Sequence, residues 1–217
     1  MRFFHALLAV AALGSAGSAA PPREPAIVRV RLDTAYGPVV LALDARHAPR
    51  TVANFMGYVD DGRFDGMTFY RSARNRQAPA YGFVQGGIRT DARRILPPFP
   101  LETTAMTGIK HTDGTISMAR RADAGSAGGN FFITIGAMPS MDAKGSYQGY
   151  AAFGHVVSGM PVLKRILAQP TGGGMGGQLL LRPVKLVRAV RLTGTPHPTG
   201  IVKPWLVKTQ ADPARRK

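Results

Sequence analysis

The chain has 217 residues, with 26 glycines and 17 prolines, which is enough for one domain with a substantial core and many turns. It has no cysteine, which excludes disulfides, thiolate catalysis and cysteine-based zinc sites, and its five histidines are scattered without an HxxxH-type pair, so we expect no metal site. The formal net charge of +16 comes from basic residues spread along the chain without a nucleic-acid-binding signature, so we expect loose attraction to acidic surfaces and no nucleic-acid partner.

The N-terminus has the pattern of a secretory signal peptide. A positively charged start precedes an apolar run over residues 3–13, and the small residues 17–19 offer a cleavage site. The apolar run is too short to span a membrane. We therefore expect residues 1–19 to be removed on export, to the periplasm in a bacterial cell, with no membrane span left after cleavage. Residues 20–26 would then form a linker before the domain.

An opening β-hairpin followed by a helix is predicted for the next segment. Residues 27–32 alternate apolar and polar side chains, and the apolar run 39–43 follows a Tyr-Gly-Pro turn. Pro49 suits the first turn of a helix. The apolar residues of that helix recur at helical spacing and form one stripe that packs against the domain: Val52, Phe55, Met56 and Val59.

Two further strands are predicted on either side of a polar, basic loop. In the first strand, residues 67–71, alternation places Phe69 and Arg71 on one face and Tyr70 on the other. The second strand, residues 81–87, ends in two glycines and leads into an irregular, proline-rich surface loop.

A second pair of strands lies at the centre of the chain. Residues 115–118 alternate with a period of two, and residues 131–135 are dense in aromatic and β-branched side chains, with a loop of glycine and small residues between them. Two neighbouring strands of this kind can place Met118 and one phenylalanine on the same apolar surface. Composition alone favours an ordinary core hairpin here.

The last part of the domain contains a strand, a helix and a closing strand. These are predicted for residues 150–157, for residues 160–167, where Pro170 ends the helix, and for residues 184–192. Residues 194–217 are rich in proline and basic residues and predict a mobile tail. In total there are about eight short strands and two helices, too few helices for βαβ units, which favours an antiparallel barrel or sandwich.

Several short motifs occur in an order that one protein family also shows. They are Phe69-Tyr70-Arg71, Gln85-Gly86-Gly87, His111 to Ala119, Asn130 to Ile133 and Phe153 to Val157. This order resembles the cyclophilins, which are peptidyl-prolyl cis–trans isomerases, in their exported bacterial form, over residues 27–193. The resemblance implies a mainly β fold, a closed eight-stranded antiparallel β-barrel capped by two α-helices.

The resemblance also implies a set of site residues. Arg71 matches the family's site arginine and is implied to be catalytic. The residues implied to bind substrate are Phe83, Gln85, Met118, Ala119, Arg120, Asn130, Phe132, Met141 and Tyr150. Gln85 and the backbone at Arg120 would hold the peptide. The apolar cup for a proline ring would consist of Phe132, Phe83, Met118 and Met141.

Some positions depart from the family pattern. Tyr70 stands where the eukaryotic members have histidine, Ser140 stands where many members have tryptophan, and the loop 72–80 is longer than usual. Asn130 and Tyr150 replace the family's glutamine and histidine. These departures leave the site arginine and the floor phenylalanine in place.

An arginine beside an apolar cup suits the chemistry of proline isomerisation. Rotation about an X–Pro bond breaks the amide resonance, against a barrier of about 18–20 kcal/mol, and localises the lone pair on nitrogen. A fixed guanidinium binds that twisted state preferentially because it stays charged and offers several donors in a rigid fork. Since no nucleophile, proton shuttle or cofactor is required, we expect no cofactor. The expected partners are proline-containing polypeptides, and we expect the protein to be a monomer.

Other classes of function are weighed against this interpretation. Ser126 lacks the first glycine of a nucleophile elbow and joins no strand to a helix, which argues against a hydrolase. The glycine run 172–177 lacks the Lys-Ser/Thr of a phosphate loop and is interpreted as a flexible linker. The main alternative is a non-catalytic cyclophilin-fold binding module or chaperone. A basic nucleic-acid binder would show steep salt dependence of binding.

Overall fold

The computed structural model describes residues 24–206, so the predicted signal peptide, residues 20–23 of the predicted linker, and residues 207–217 lie outside the described residues. Within this range the strands are β1 (Ile27–Thr34), β2 (Gly37–Asp44), β3 (Thr68–Arg74), β4 (Gly82–Gly87), β5 (Thr115–Met118), β6 (Asn130–Ile135), β7 (Ala151–Ser158), β8 (Thr171–Gly172) and β9 (Leu179–Arg191). The helices are α1 (Pro49–Asp60), α2 (Thr104–Thr107) and α3 (Met160–Leu167). Single helical turns occur at Ala92–Arg94, Ala124–Ser126 and Pro139–Met141, whereas Gly174–Gly177 forms a turn with left-handed backbone angles.

The sheet is antiparallel and closes on itself. Its strand order is β1-β2-β7-β5-β6-β4-β3-β9, and β1 also pairs with β9, which closes eight strands into a barrel. The short β8 pairs with the start of β9, where Thr171 lies opposite Leu180. The predicted closed eight-stranded barrel is therefore confirmed, and the sandwich alternative is not.

The barrel interior is filled by side chains from alternate strand positions. β1, for example, fully buries every second residue from Val28 to Leu32. α1 packs against β2, β7 and β9, and α3 packs against β2, β3 and β4. The ring of Phe55 in α1 lies 5.1–5.5 Å, between centroids, from the rings of Phe64, Phe131 and Phe153. None of the helices in residues 24–206 has the length and apolar character needed to span a membrane.

The N-terminus of α1 is capped by a residue from a distant loop. Ala48, at the cap position, has no side-chain acceptor. Instead, the buried carboxylate of Glu102 accepts hydrogen bonds from the backbone N–H of Arg50 at 3.2 Å and of Thr51 at 2.7 Å. A carboxylate stabilises the helix here because it satisfies free N–H groups and lies at the positive end of the helix dipole.

The segment between α3 and β9 differs from its prediction as a glycine loop. Because Gly172 pairs with Leu179, the closing strand begins at Leu179 rather than at residue 184. The intervening turn depends on glycines that adopt positive φ angles of 65°, 66° and 81°, at Gly173, Gly176 and Gly177. The segment is therefore a tight hairpin that fixes the residues at its base.

The part of the predicted tail that the structure describes, residues 194–206, makes contacts with the domain. Thr199 donates its N–H at 2.9 Å, and also its hydroxyl, to the carboxylate of Asp61. Arg63 is fully buried, pairs with Asp61 at 2.7 Å and lies 4.8 Å from the ring centroid of Trp205. These contacts join residues far apart in sequence, so the composition of the tail does not reveal them.

Candidate active site

A cleft of about 500 Å³ lies beside β3, β4 and β6, outside the barrel core. Its apolar floor is formed by Phe83 and Phe132, which pack with Ala73 in a small cluster. Nearly all of the predicted site residues line this cleft, namely Arg71, Phe83, Gln85, Ala119, Arg120, Asn130, Phe132, Met141 and Tyr150. The structure thus brings together every predicted site residue except Met118.

Met118 lies in the barrel core, so its predicted place in the apolar cup is corrected. Between β5 and β6, Met118 pairs with Phe131 and Ser117 pairs with Phe132. Directly opposed residues share a face, so Met118 and Phe131 point into the barrel, where both are fully buried. Phe132 therefore points to the other face, towards the cleft.

A β-bulge in β3 brings two neighbouring side chains to the cleft. Phe69 pairs with Gly86 and Arg71 pairs with Gln85, so Tyr70 is the extra residue of the bulge. Phe69 packs in the barrel core, whereas Tyr70 and Arg71 both line the cleft. Regular alternation predicts Phe69 and Arg71 on one face and Tyr70 on the other, and the bulge corrects this prediction.

The second glycine after Gln85 is required by a close backbone approach. Gly87 has a φ of 116°, and a Cβ atom there would lie 2.2 Å from the carbonyl oxygen of Gly129. A side chain at this position would push β4 away from the start of β6. The glycine therefore allows the close pairing of β4 with β6, in which Gly87 lies opposite Asn130.

The Arg71 guanidinium is held between two glutamine side chains. Its Nη1 donates to Gln85 Oε1 at 3.0 Å, while Nε and Nη2 both donate to Gln178 Oε1, at 2.9 and 2.6 Å. Its Cζ lies 4.9 Å from the ring centroid of Phe83. Burial lowers the pKa of Arg71, but an arginine keeps its charge at neutral pH. Within residues 24–206, these bonds leave one N–H on each terminal nitrogen for a ligand.

A chain of hydrogen bonds fixes the Gln85 amide, which is 8% exposed. Its Nε2 donates to the Tyr70 hydroxyl at 2.6 Å, that hydroxyl donates to Asn130 Oδ1 at 3.0 Å, and Asn130 Nδ2 donates to the carbonyl oxygen of Ile88 at 2.9 Å. Burial raises the pKa of Tyr70, so its hydroxyl stays protonated and can donate. The sequence of donors and acceptors directs Gln85 Oε1 towards Arg71.

The ring of Phe132 forms the centre of the apolar floor. It lies 5.3 Å from the ring of Phe83, 5.4 Å from that of Tyr150 and 5.7 Å from that of His111, between centroids. The His111 ring is stacked on it, with 10° between the two planes. Aromatic neighbours therefore fix the Phe132 ring, and a ligand meets a rigid apolar surface.

Arg120 and Tyr150 form one rim of the cleft. The Nε of Arg120 donates to the carbonyl oxygen of Gly149 at 2.8 Å, and its Nη1 donates to those of Arg121 and Ala122 at 2.9 and 3.0 Å. Its Cζ lies 5.0 Å from the ring centroid of Tyr150. The Arg120 side chain thus holds the neighbouring loop, which leaves the predicted peptide contact at this position to the backbone.

Comparison with known proteins identifies the family. The family model described as cyclophilin type peptidyl-prolyl cis-trans isomerase/CLD matches residues 28–191. The chain belongs to the cyclophilin-type peptidyl-prolyl cis–trans isomerases. The predicted family and enzyme class are thereby confirmed.

Relatives and solved structures agree with this assignment. Peptidyl-prolyl cis-trans isomerase A of Dickeya dadantii (strain 3937) is 36% identical over 137 residues, which is 63% of this chain and 70% of that protein. Peptidyl-prolyl cis-trans isomerase B of Escherichia coli (strain K12) is 32% identical over 146 residues, 66% of this chain and 86% of that protein. A Cryptosporidium parvum cyclophilin type isomerase, crystallised in the presence of the dipeptide Ala-Pro, shares the fold with a TM-score of 0.61 at 20% identity, covering 76% of this chain and 99% of that one.

A serine, a histidine and an aspartate of this cyclophilin are hydrogen-bonded in series beside the floor. His111 Nε2 lies 3.0 Å from Ser117 Oγ, and His111 Nδ1 lies 2.7 Å from Asp142 Oδ1. Ser117 is fully buried, so no substrate carbonyl can reach its hydroxyl. The hydroxyl of Ser126 donates within its own turn, to the carbonyl oxygen of Asp123. Neither serine supports the hydrolase alternative. The hydrogen bonds to Ser117 and Asp142 instead hold the His111 ring against the ring of Phe132.

The stability of this cyclophilin should fall as the pH drops below about 6.5 because of His111. Burial lowers the pKa of His111 in the fold, against the opposing effect of Asp142, whereas the unfolded chain has a value of about 6.5. Between these two values the unfolded state binds more protons, so the stability is fully present above about pH 6.5 and is lost as the pH falls below it.

We expect His111→Gln to reduce this pH dependence of the free energy of unfolding, measured by urea titration at several pH values. Part of the slope should remain, because burial also lowers the pKa of His155. Gln77→Ala, which changes an exposed residue without a titratable group, serves as the control and should keep the wild-type slope. Identical slopes for the wild type and His111→Gln would contradict the assignment.

Sequence reasoning missed three residues of the site. Tyr70 stands out in the sequence only as a departure from the family's histidine, and His111 only as the start of a motif. Gln178 follows a glycine run that is interpreted as a linker, and no local pattern relates it to Arg71. Its contact depends on the hairpin of β8 and β9, which is formed by long-range pairing.

Proposed function

We propose that Arg71 is the catalytic group of this isomerase and that it acts on X–Pro bonds of polypeptides bound over Phe132. One observation carries the proposal. The Arg71 guanidinium is fixed beside the apolar floor of Phe83 and Phe132, and within residues 24–206 it retains one N–H on each terminal nitrogen. A charged, oriented donor thus adjoins a surface that suits a pyrrolidine ring.

The physical reason for catalysis is differential binding of the twisted amide. In the planar amide the nitrogen lone pair is delocalised, whereas at the top of the rotational barrier it is localised and accepts a hydrogen bond. A donor that meets this lone pair, or that holds the prolyl carbonyl, stabilises the twisted state more than either planar state. Uncatalysed rotation takes tens of seconds or longer, so an increase in the isomerisation rate by such a donor can be measured directly.

The substrates we propose are proline-containing polypeptides. The floor and its neighbours Ala119 and Met141 provide apolar contact, and the Gln85 amide and the backbone at Arg120 provide polar partners for the peptide chain. The Cryptosporidium neighbour was crystallised in the presence of Ala-Pro, a dipeptide of the same class. No step of this mechanism requires a metal or a cofactor.

A non-catalytic proline-peptide-binding module would use the same floor. The two functions differ in one respect: an isomerase accelerates exchange between the cis and trans forms, whereas a binding module only lowers the free peptide concentration. A protease-coupled isomerase assay on the purified protein separates them. Turnover well above the uncatalysed rate supports the enzyme, and binding without turnover supports the module.

We also propose that the isomerase acts on exported proteins, because residues 1–19 have the pattern of a signal peptide. Mass spectrometry of the protein from fractionated bacterial cells should find a periplasmic form that begins near residue 20. Leu7→Arg, which interrupts the apolar run, should leave the precursor in the cytoplasm. A wild-type cytoplasmic protein that retains Met1 would refute the export proposal without affecting the proposed chemistry.

A further inference from the structure

Arg71 receives most of its support from Gln178, a residue that the sequence does not place in the site. Gln178 Oε1 accepts hydrogen bonds from both Nε and Nη2 of Arg71, at 2.9 and 2.6 Å, whereas Gln85 Oε1 accepts one, at 3.0 Å. Nε and Nη2 lie on one edge of the guanidinium. An acceptor shared by that edge fixes the orientation of the guanidinium plane.

Gln178 is itself anchored to the strand that carries Arg71. Its carbonyl oxygen accepts a hydrogen bond from the backbone N–H of Ser72 at 3.0 Å. The next residue, Leu179, pairs with Arg71 across β3 and β9 and with Gly172 across β8 and β9. Both ends of the contact between Arg71 and Gln178 are therefore held by neighbouring strands, and the contact needs little ordering when a ligand arrives.

The acceptors that hold Arg71 are neutral. All three hydrogen bonds that it donates within residues 24–206 go to amide oxygens, of Gln85 and Gln178. A carboxylate at the same distance would also orient the guanidinium, but its negative charge would offset the field that Arg71 presents to a ligand. A glutamine orients the arginine and leaves its positive charge uncompensated.

We infer that Gln178 is a positioning residue for isomerisation, an inference that rests on the function proposed for Arg71. Gln178 sets the plane in which the remaining N–H groups of Arg71 face the amide. Without this acceptor the guanidinium rotates, and its contact with the twisted state weakens more than peptide binding does, because binding depends mainly on the Phe132 floor.

The test compares Gln178→Leu and Gln178→Glu with a matched control, Gln169→Leu, which makes the same change at a glutamine outside the cleft. With the tetrapeptide Ala-Ala-Pro-Phe at saturation, Gln178→Leu should lower the exchange rate about tenfold or more, because it removes the acceptor of two hydrogen bonds from a charged group. Its peptide Kd should stay within about twofold. Gln178→Glu should recover part of the rate, because it restores the acceptor but adds a charge, and Gln169→Leu should match the wild type.

A second readout follows the Arg71 Nε–H directly by nitrogen-15 NMR of the free protein. In the wild type this proton should exchange with water much more slowly than that of the exposed Arg76. The protection should be lost in Gln178→Leu and kept in Gln178→Glu. If Gln178→Leu fails to fold, the wild-type spectrum alone decides, since an Arg71 Nε–H that exchanges as fast as that of Arg76 overturns the inference.

The outcomes separate this inference from the proposed function. If Arg71→Ala catalyses cis–trans exchange slowly but Gln178→Leu catalyses it as fast as Gln169→Leu, the positioning role of Gln178 fails and the catalytic role of Arg71 stands. A Gln178→Glu rate no higher than that of Gln178→Leu also overturns the positioning role. If Arg71→Ala equals the wild type, the proposed function fails first.

Discussion

Replacement of Arg71 by alanine is expected to slow catalysed cis–trans exchange by about 10²-fold or more, the usual effect of removing one preorganised donor from an active site. The guanidinium is fixed by Gln85 and Gln178 before any ligand arrives, so its donors need no reorganisation to meet the twisted amide. Peptide affinity should fall much less than the rate, because the apolar floor remains.

Two variants make this result specific. Arg71→Lys keeps the charge but lacks the planar fork, so it should recover only part of the rate. Arg74→Ala removes an exposed arginine from the same strand, outside the cleft, and should behave as the wild type. Rates are measured by NMR exchange between the cis and trans signals of the peptide. A folded Arg71→Ala protein with the wild-type rate would remove Arg71 from the mechanism.

Replacement of Phe132 by alanine is expected to weaken peptide binding by about 10- to 100-fold. The Phe132 ring is held by the rings of Phe83, Tyr150 and His111, and its loss removes the centre of the floor. Loss of apolar contact from a large side chain costs about 1.5–3 kcal/mol, and about 1.4 kcal/mol corresponds to a factor of ten. Titration of the tetrapeptide by NMR gives the Kd of each variant.

The control for this experiment must separate binding from folding. Phe132→Leu keeps part of the apolar surface and should lie between the wild type and Phe132→Ala. Urea unfolding of each variant shows whether the barrel remains intact, because Phe132 is only 2% exposed and also contributes to packing. An intact Phe132→Ala protein that binds the peptide as tightly as the wild type would show that the ligand does not use this floor.

Much of the fold follows from periodicity in the sequence. Alternation over residues 27–32 and 115–118 predicts strands that the structure forms, and helical spacing from Val52 to Val59 predicts α1. These patterns work because successive side chains of a strand point to opposite faces, and residues three or four apart share one face of a helix. Closure of the strands into a barrel came from the family resemblance, since the patterns alone leave a barrel and a sandwich equally open.

The site was predictable where motifs identify residues, but not where the faces of strands matter. Periodicity places Met118 on a face shared with a phenylalanine, yet only strand pairing shows that this partner is Phe131 and that their face is the barrel interior. The bulge at Tyr70 has no clear local signal, and it moves that side chain from the predicted opposite face into the cleft beside Arg71.

The remaining contacts join residues that are distant in sequence. Gln178 reaches Arg71 across 107 positions, and Thr199 reaches Asp61 across 138. Gln178 and Thr199 are common polar residues in segments rich in glycine or proline, so the composition of those segments predicts a loop and a tail. Their positions depend on tertiary packing, which single-sequence patterns do not contain.

Exchange NMR of a proline tetrapeptide with catalytic amounts of protein tests most directly whether this cyclophilin-type chain catalyses X–Pro rotation through Arg71. The wild type should give exchange peaks between cis and trans signals at mixing times of about one second, far shorter than the tens of seconds of the uncatalysed rotation. Arg71→Ala should give none at the same concentration while still binding the peptide. Peptide binding by the wild type without catalysed exchange would contradict catalysis through Arg71 and leave a binding module in its place.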